Sequence, residues 1–509
     1  AQLFGSDAGD VLGTGSSSGA FASVDLVSLA ELIAGQGDSV DADLADAARA
    51  LSEAAQSAVI HGGADDYLPD SHGIAIYFPT NARDAELAQL VVNNLIPYAD
   101  ANPTMSAWST FLSTFHSTID SALLPENLKI TITQVLPDDG TASIYNPPVA
   151  IFDTEGVGIA NLAFSAVLKR DDGTETMLDY SPLVFESILP DGRSVRTFPT
   201  GVVSGNSFAW NVETLMVSDG ATSLPGAIFI NNPGITQGVI TGTYVSQQSG
   251  EEVPANLIVD TSTTTALSTY GTTEEGAPFE IRVQPGDKFF PNWYSVGSEG
   301  LVANRSADFL AYGVEPFTYT YVPAESGNYR LTMVLQDLAG NISVSSSDLR
   351  IDNSGLDPAY RGFKDVERGI NFLYPWGWSD PTQLADDSGQ VDQLVVTDPS
   401  GDIWIYVAMR DEEIDTAVQD MIDLEAAQTD AQVEDPAAFG DDPSVAQFFG
   451  YSYTGADGET RSGAVIVIYD LDNQASYTFD IDSTEAKADE AVAAAQALVD
   501  SVTFFPPLE

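Results

Sequence analysis

At a typical size of about 150 residues per domain, a chain of 509 residues predicts about three domains. With 44% hydrophobic and 10% aromatic residues it describes folded rather than disordered material. The 75 acidic residues against 18 basic ones leave a net charge of −57, which excludes nucleic acid and anionic membrane as partners and suits secretion into salt water, where screening limits self-repulsion. The lack of cysteine excludes disulfides, thiolate metal sites and cysteine nucleophiles within the chain. No stretch reaches the about 18 apolar residues of a membrane span.

Residues 1–20 are rich in Gly and Ser and predict a flexible lead-in. Without an initiator Met or a basic, apolar leader, Ala1-Gln2-Leu3 reads as a processed end. Ser23 or Asp25 caps a predicted helix carrying Leu26, Leu29, Leu32 and Ile33. Asp41 opens a second helix with Leu44, Ala47, Ala48, Leu51 and Ala55 on one stripe. A strand over 74–78 follows, then helices over about 84–95 and around Trp108. One apolar strand among helices is the tail of an α/β layer and needs a sheet partner from missing sequence or another chain.

After Pro125 the texture changes to short β runs: Lys129–Val135, Ala150–Phe152, Ala160–Leu168, Ser207–Val217, Gly238–Val245 and Ala255–Val259, divided by Asp-Gly, Asn-Pro and Pro-Gly turns. This spacing predicts an antiparallel sandwich or barrel. A second β block runs from about 262 to 353 and ends in Tyr329–Val334 followed by Asp337-Leu338-Ala339-Gly340-Asn341. Asn353–Pro358 reads as a linker. Beyond it come strands at 369–375, 393–397, 403–408, 448–453, 464–469 and 476–481, a helix over 412–425, an Ala-rich helix over 485–499 and a last strand over 502–505. No internal repeat is visible.

Three resemblances arise from these residues. His72-Gly73-Ile74-Ala75-Ile76-Tyr77-Phe78-Pro79, with the helical run to Trp108, Phe111, Leu112 and Phe115, resembles the last part of the clostripain-like cysteine peptidase domain. That resemblance implies a caspase-like α/β layer, a histidine base, a cysteine thiolate that attacks the peptide carbonyl after a basic residue, and calcium dependence. The family's catalytic pair lies upstream of this strand, so a separate or lost segment is implied to hold it. The Asp337–Asn341 turn and the strand before it resemble the last hairpin of bacterial immunoglobulin-like modules. The Phe372-x-Tyr374-Pro375-x-x-Trp378 opening and the Ala-rich helix into Ser501-Val502-Thr503-Phe504 resemble the PsbP-like fold, whose members bind or dock.

The expected fold class is multidomain α+β: a partial α/β (caspase-like) layer over 1–123, a β-sandwich over 124–261, an Ig-like β domain over 262–355 and a PsbP-like α/β sandwich over 356–509. No residue is assigned as catalytic or cofactor-binding, and the metal ligands are unknown. His61, His72 and His116 do not stand at metal-ligand spacing. Gly15-Ser16-Ser17-Ser18-Gly19 matches a nucleophile elbow in letters but lacks the strand and helix that one needs. Calcium is the favoured small partner, through the oxygen-rich loops Asp7–Asp10, Asp398–Asp402 and Asp470–Asn473, each of which also reads as an ordinary Asx turn. The pairs Trp376/Trp378 and Trp293/Tyr294 read as plugs of a β domain before they read as a glycan platform. The function expected is the non-catalytic C-terminal portion of a secreted clostripain-like endopeptidase, with an upstream peptidase chain as partner. The alternative is a self-assembling or adhesive structural protein of the cell surface or extracellular space.

Overall fold

The computed structural model describes residues 23–35, 41–58, 75–77, 107, 110–111, 114 and, with short interruptions, 123–507. The chain falls into two units, one of residues 1–135, 150–206 and 213–351, the other of 136–149, 207–212 and 352–509. The described chain is mostly strand, arranged in several sheets.

In the first unit, Ser23–Asp25 is a strand that leads directly into the helix Leu26–Gly35, and Ala42–Ala58 is the second helix. Ala75–Tyr77 pairs antiparallel with Ser23–Asp25 in the register Val24↔Ile76. This corrects the expectation that the strand must find a partner outside the chain: the residues expected to cap a helix supply it. The second helix also turns a different face inward. Ala45, Ala48, Ser52 and Ala55 are buried, while Leu44 and Leu51 are 49% and 44% exposed. The small side chains let this helix sit close to the first, whose Val27, Leu29 and Ala30 are buried. Phe111 lies on the described part of a helix and is exposed. The helix expected over 84–95, together with Trp108, Leu112 and Phe115, lies outside the described residues.

The main sheet of this unit is built on antiparallel pairs. Gly327–Asp337 pairs with Ile342–Ile351 on one side and with Ile159–Lys169 on the other, and Ile159–Lys169 pairs in turn with Glu175–Pro182. The 327–351 hairpin therefore completes a sheet begun by residues 159–182, and 213–323 is inserted between its halves. The boundary expected at 261–262 does not interrupt the hydrogen bonding: Glu252–Asp260 pairs with Thr265–Thr272, and Gln237–Val245 with Lys288–Gly297. Gly340, at φ +74°, closes the hairpin turn. There the Asn341 amide nitrogens of backbone and side chain both donate to the Asp337 carboxylate, at 2.8 Å each. The inserted part alternates buried and open residues along Gln237–Val245 and Glu252–Asp260. It encloses a core of Leu215, Val217, Ile240, Leu257, Phe289 and Phe317. Expected as one strand, 207–217 is two, Gly201–Ala209 and Glu213–Ser218, separated at buried Trp210 and at Val212, whose φ is +56°.

In the second unit the larger sheet runs Thr382–Ala385, Val391–Thr397, Ile403–Arg410, Ala475–Thr484, Thr460–Asp470, Ala446–Thr454, Gln432–Val433. Its edge strands are short, which limits edge-to-edge pairing. Tyr360–Asp365, Ile370–Pro375 and Thr503–Phe504 make a smaller sheet. The period-2 alternation of side chains gives the large sheet two faces. Ile403, Ile405, Val407, Tyr477, Phe479 and Ile481 share one core with Ala491, Ala494 and Leu498 of the helix Ala488–Ser501. Phe449, Tyr451, Val465 and Val467 share the other with Ile414, Ala417, Val418 and Met421 of the helix Ile414–Ala426.

The opening motif of the terminal domain is structural. Phe372, Tyr374 and Trp378 all point into the first of these cores, each burial contributing roughly 1.5–3 kcal/mol. Arg361 donates to the Trp378 carbonyl at 2.8 Å, pairs with Asp380 at 2.8 Å and lies over the rings of Tyr374 and Trp376. Trp378 is thus a plug, as expected, and Trp376 a partly covered cation–π partner. Tyr294, in the other unit, is likewise buried and meets Phe229 edge-on.

Candidate functional site

A set of buried ionisable side chains lies on the face of the large terminal sheet covered by the helix Ile414–Ala426. Its geometry follows from register. Asp480 and Asp482 stand two apart on Ala475–Thr484 and so share a face, opposite to that of Tyr477, Phe479 and Ile481. Tyr406 is directly across from Asp480 and Trp404 across from Asp482 on one neighbouring strand. On the other side Gly463 stands across from Asp482, and Tyr451 across from Gly463. A Cβ on Gly463 would lie 2.5 Å from the Tyr451 hydroxyl and 2.2 Å from the Ile481 carbonyl oxygen. The bare glycine therefore lets the Tyr451 ring cross the intervening strand. Its hydroxyl then donates to Asp480 Oδ1 at 2.6 Å, and the Tyr453 hydroxyl makes the parallel bond to Asp482 Oδ2 at 2.6 Å.

Arg461 supplies the positive charge. Its Nε donates to both carboxylate oxygens of Asp482, at 3.0 and 3.1 Å, and its Nη2 to the Asp402 carbonyl at 3.1 Å. From above, the last turn of the helix brings Glu425, only 4% exposed. No described residue makes a hydrogen bond to its carboxyl. Trp404 closes one end of the row, stacked on Tyr406 at 6.0 Å with its indole nitrogen donating to the Gly401 carbonyl at 2.7 Å.

Three carboxyl groups thus face one guanidinium, and the acids respond. Burial, and then the charges of Asp480 and Asp482, push Glu425 up to about 8. Burial also pushes Asp480 up to about 7, with the Asp482 charge adding to it, against the opposing bond from Tyr451. Burial and the neighbouring acids raise Tyr406 to about 12 and move Tyr451 and Tyr453 further upward. At neutral pH the cluster therefore retains protons on carboxyl groups, which makes it a proton store that can donate hydrogen bonds.

Two of the three oxygen-rich loops, Asp398–Asp402 and Asp470–Asn473, lie among the described residues. Asp398 accepts from the Asp402 and Ile403 amides at 2.7 and 2.9 Å and from the Ser400 hydroxyl at 2.5 Å. Asp470 accepts from the Asp472 and Asn473 amides at 3.3 Å each. Both are Asx-type turns joining adjacent strands, the ordinary reading of these sequences. Among the described residues no group of three or more His, Cys, Asp and Glu side chains is placed to hold a metal ion. No described helix is long and apolar enough to cross a membrane. His61, His72, His116, the Gly15–Gly19 segment and Asp7–Asp10 lie outside the described residues.

None of the seven side chains around Glu425 was singled out from sequence. The available signal was Asp480-Ile481-Asp482 at strand period beside Tyr451-Ser452-Tyr453, but strand register decides whether the two pairs meet.

No family model and no curated protein matches the chain. The clostripain-like and Ig-like resemblances therefore rest on the quoted residues alone. Among solved structures the chain is similar to the Saccharomyces cerevisiae Ran-binding protein Mog1p, at 13% identity over 29% of this chain and 96% of that one, with a TM-score of 0.23. It is similar to the cyanobacterial PsbP of Synechocystis at 17% identity over 30% and 98%, with a TM-score of 0.22. It is similar to Mycobacterium tuberculosis LpqN, involved in cell envelope biogenesis, at 16% identity over 29% and 91%, with a TM-score of 0.22.

Proposed function

We propose that this chain is a non-catalytic structural or binding protein of the extracellular space or cell surface. In this reading its β body acts as scaffold, and a PsbP-like terminal domain acts as the docking module. The observation that carries the reading is where the informative residues go. Phe372, Tyr374, Trp378 and Arg361, which open the terminal domain, are engaged in its core and its bracing. The antiparallel sheet built from 159–182 and 327–351 supports a mechanical or presenting role for the part inserted in it. The −57 charge fits a protein held soluble in salt. The lack of cysteine means that this chain cannot itself supply a thiolate nucleophile.

A second reading keeps the chain beside a clostripain-like peptidase, as its non-catalytic partner. It is favoured by the helices Leu26–Gly35 and Ala42–Ala58 beside the Ala75–Tyr77 strand, an α/β grouping of the kind that the resemblance implies. Denaturing intact-mass spectrometry of the native preparation, followed by size-exclusion chromatography and electron microscopy, separates the two. A single species that forms a regular homopolymer or binds a cell surface supports the scaffold. A co-purifying chain with a histidine and cysteine pair, active on arginyl or lysyl peptides, overturns it in favour of the peptidase partner.

A further inference from the structure

We propose that the last turn of the helix Ile414–Ala426 is a proton-operated latch. It is closed on the sheet while Glu425 and Asp480 carry protons and is released as the surroundings turn alkaline. The geometry for this is the mismatch of charges beneath one helix end. Around Glu425 stand Asp480 and Asp482 from Ala475–Thr484, Tyr451 and Tyr453 from Ala446–Thr454, and Tyr406 from Ile403–Arg410, with Arg461 from Thr460–Asp470 bound to Asp482. Gln432–Val433 brings no titratable side chain. Arg410 reaches the helix at Met421, Nη2 to Sδ 3.7 Å, one turn before Glu425, and is paired there with Glu412 at 3.9 Å. Asp415, Asp420 and Asp423 of the helix itself are exposed. With Glu425 and Asp480 protonated, Asp482 and Arg461 balance and the enclosed charge is zero. With both ionised, three carboxylates face one guanidinium.

Two features make Glu425 the trigger. The residue is only 4% exposed and no described residue donates a hydrogen bond to its carboxyl, so an ionised form has little local compensation. It also sits in the helix's last turn, where the unpaired carbonyls carry the negative end of the macrodipole. The cheapest relief is for that turn to lift, which returns Glu425 to water and uncovers Tyr451, Tyr453 and Tyr406. The sign follows from linkage. Both acids hold protons more tightly closed than open, so the closed form is most favoured at and below the ordinary carboxyl range. It loses that advantage as pH rises through about 7 for Asp480 and about 8 for Glu425.

The test is hydrogen–deuterium exchange of the full chain from pH 5 to 9, read on peptides within 414–426 and corrected for the intrinsic pH dependence of exchange. The opening constant of the helix should rise at least about tenfold per pH unit between pH 5 and 7, as expected for one or more protons released on opening. Peptides from the Ile159–Lys169 strand should not follow. Glu425→Gln should flatten the rise, while Asp420→Asn, on the exposed face, should leave it. A helix whose corrected protection is level from pH 5 to 9 in the wild type overturns the latch. So does a Glu425→Gln protein with the wild-type slope. Should that variant fail to fold, Asp480→Asn serves in its place and should at least halve the slope; an unchanged slope overturns the latch equally.

Discussion

Two tyrosine–aspartate bonds, one in each unit, have the same chemistry and opposite consequences. In the inserted β part, the Tyr244 hydroxyl donates to Asp287 Oδ2 at 2.5 Å; in the terminal domain, the Tyr451 hydroxyl donates to Asp480 at 2.6 Å. Burial works against both charged carboxylates. At Asp287 it is outweighed by the Tyr244 bond and by the Gln247 and Gln284 backbone amides, at 2.9 and 2.7 Å, and the acid is held below the usual range. At Asp480 one phenol stands alone against burial and the nearby Asp482, and the acid rises to about 7. Tyr244 itself is pushed up to about 12 by burial and its bond to Asp287. The number of donors and the sign of the neighbours decide whether a buried aspartate serves as a fixed brace or as a titratable element.

Removing the brace should have the largest effect. Asp287→Ala orphans two backbone amides and a buried hydroxyl together, a loss of about 3 kcal/mol for the inserted part. Chemical denaturation should show its transition moved to lower denaturant, with the terminal-domain transition in place. An unmoved first transition would mean that the three donors find water, and that Asp287 is not the tie that its contacts describe.

The next effect is steric and tests whether the Tyr451 bond depends on its glycine. Gly463→Ala places a carbon where the Ile481 carbonyl and the Tyr451 ring already stand, and overpacking of that kind costs about 1–3 kcal/mol. The terminal domain should weaken at every pH, because the change displaces the phenol without adding or removing a titrating group. Equal stability of the two proteins would show that the strand can shift to accommodate the ring.

These two cases also show what was legible in the chain. Strand positions in the terminal domain were readable as short runs of β-branched and aromatic residues, as in Ile403-Trp404-Ile405-Tyr406-Val407. The Asp337–Asn341 turn was readable because Asp and Gly-Asn form a local hydrogen-bonded unit. The role of Gly463 was not, since a glycine in a strand signals close approach without saying what approaches. Asp480 was hidden for the same reason: its environment is set by Tyr451, two strands away, and by a helix end more than fifty residues earlier. The pairing of 159–169 with 327–337 was equally non-local, so an insertion looked like two domains in sequence.

The smallest change, Asp480→Asn, bears most directly on the contrast between the two aspartates, because asparagine keeps an oxygen for the Tyr451 hydroxyl and removes only the ionisable proton. Asp287 is lowered, so its contribution is complete above the ordinary carboxyl range and is lost as pH falls through its folded value. Asp480 is raised, so its contribution is complete below that range and is lost as pH climbs toward 7. Wild-type thermal unfolding should therefore show the two units drifting apart between pH 4.5 and 8, with the terminal domain the one that falls. Asparagine never ionises, so at pH 8 the variant's terminal domain should be more stable than wild type by about 2 kcal/mol, and at pH 4.5 the two should coincide. The transition of the Asp287-containing unit should be the same in both proteins at each pH. If Asp480→Asn instead weakens the domain equally at pH 4.5 and 8, the acid is a brace like Asp287, and its neighbours Asp482 and Glu425 do not set its charge.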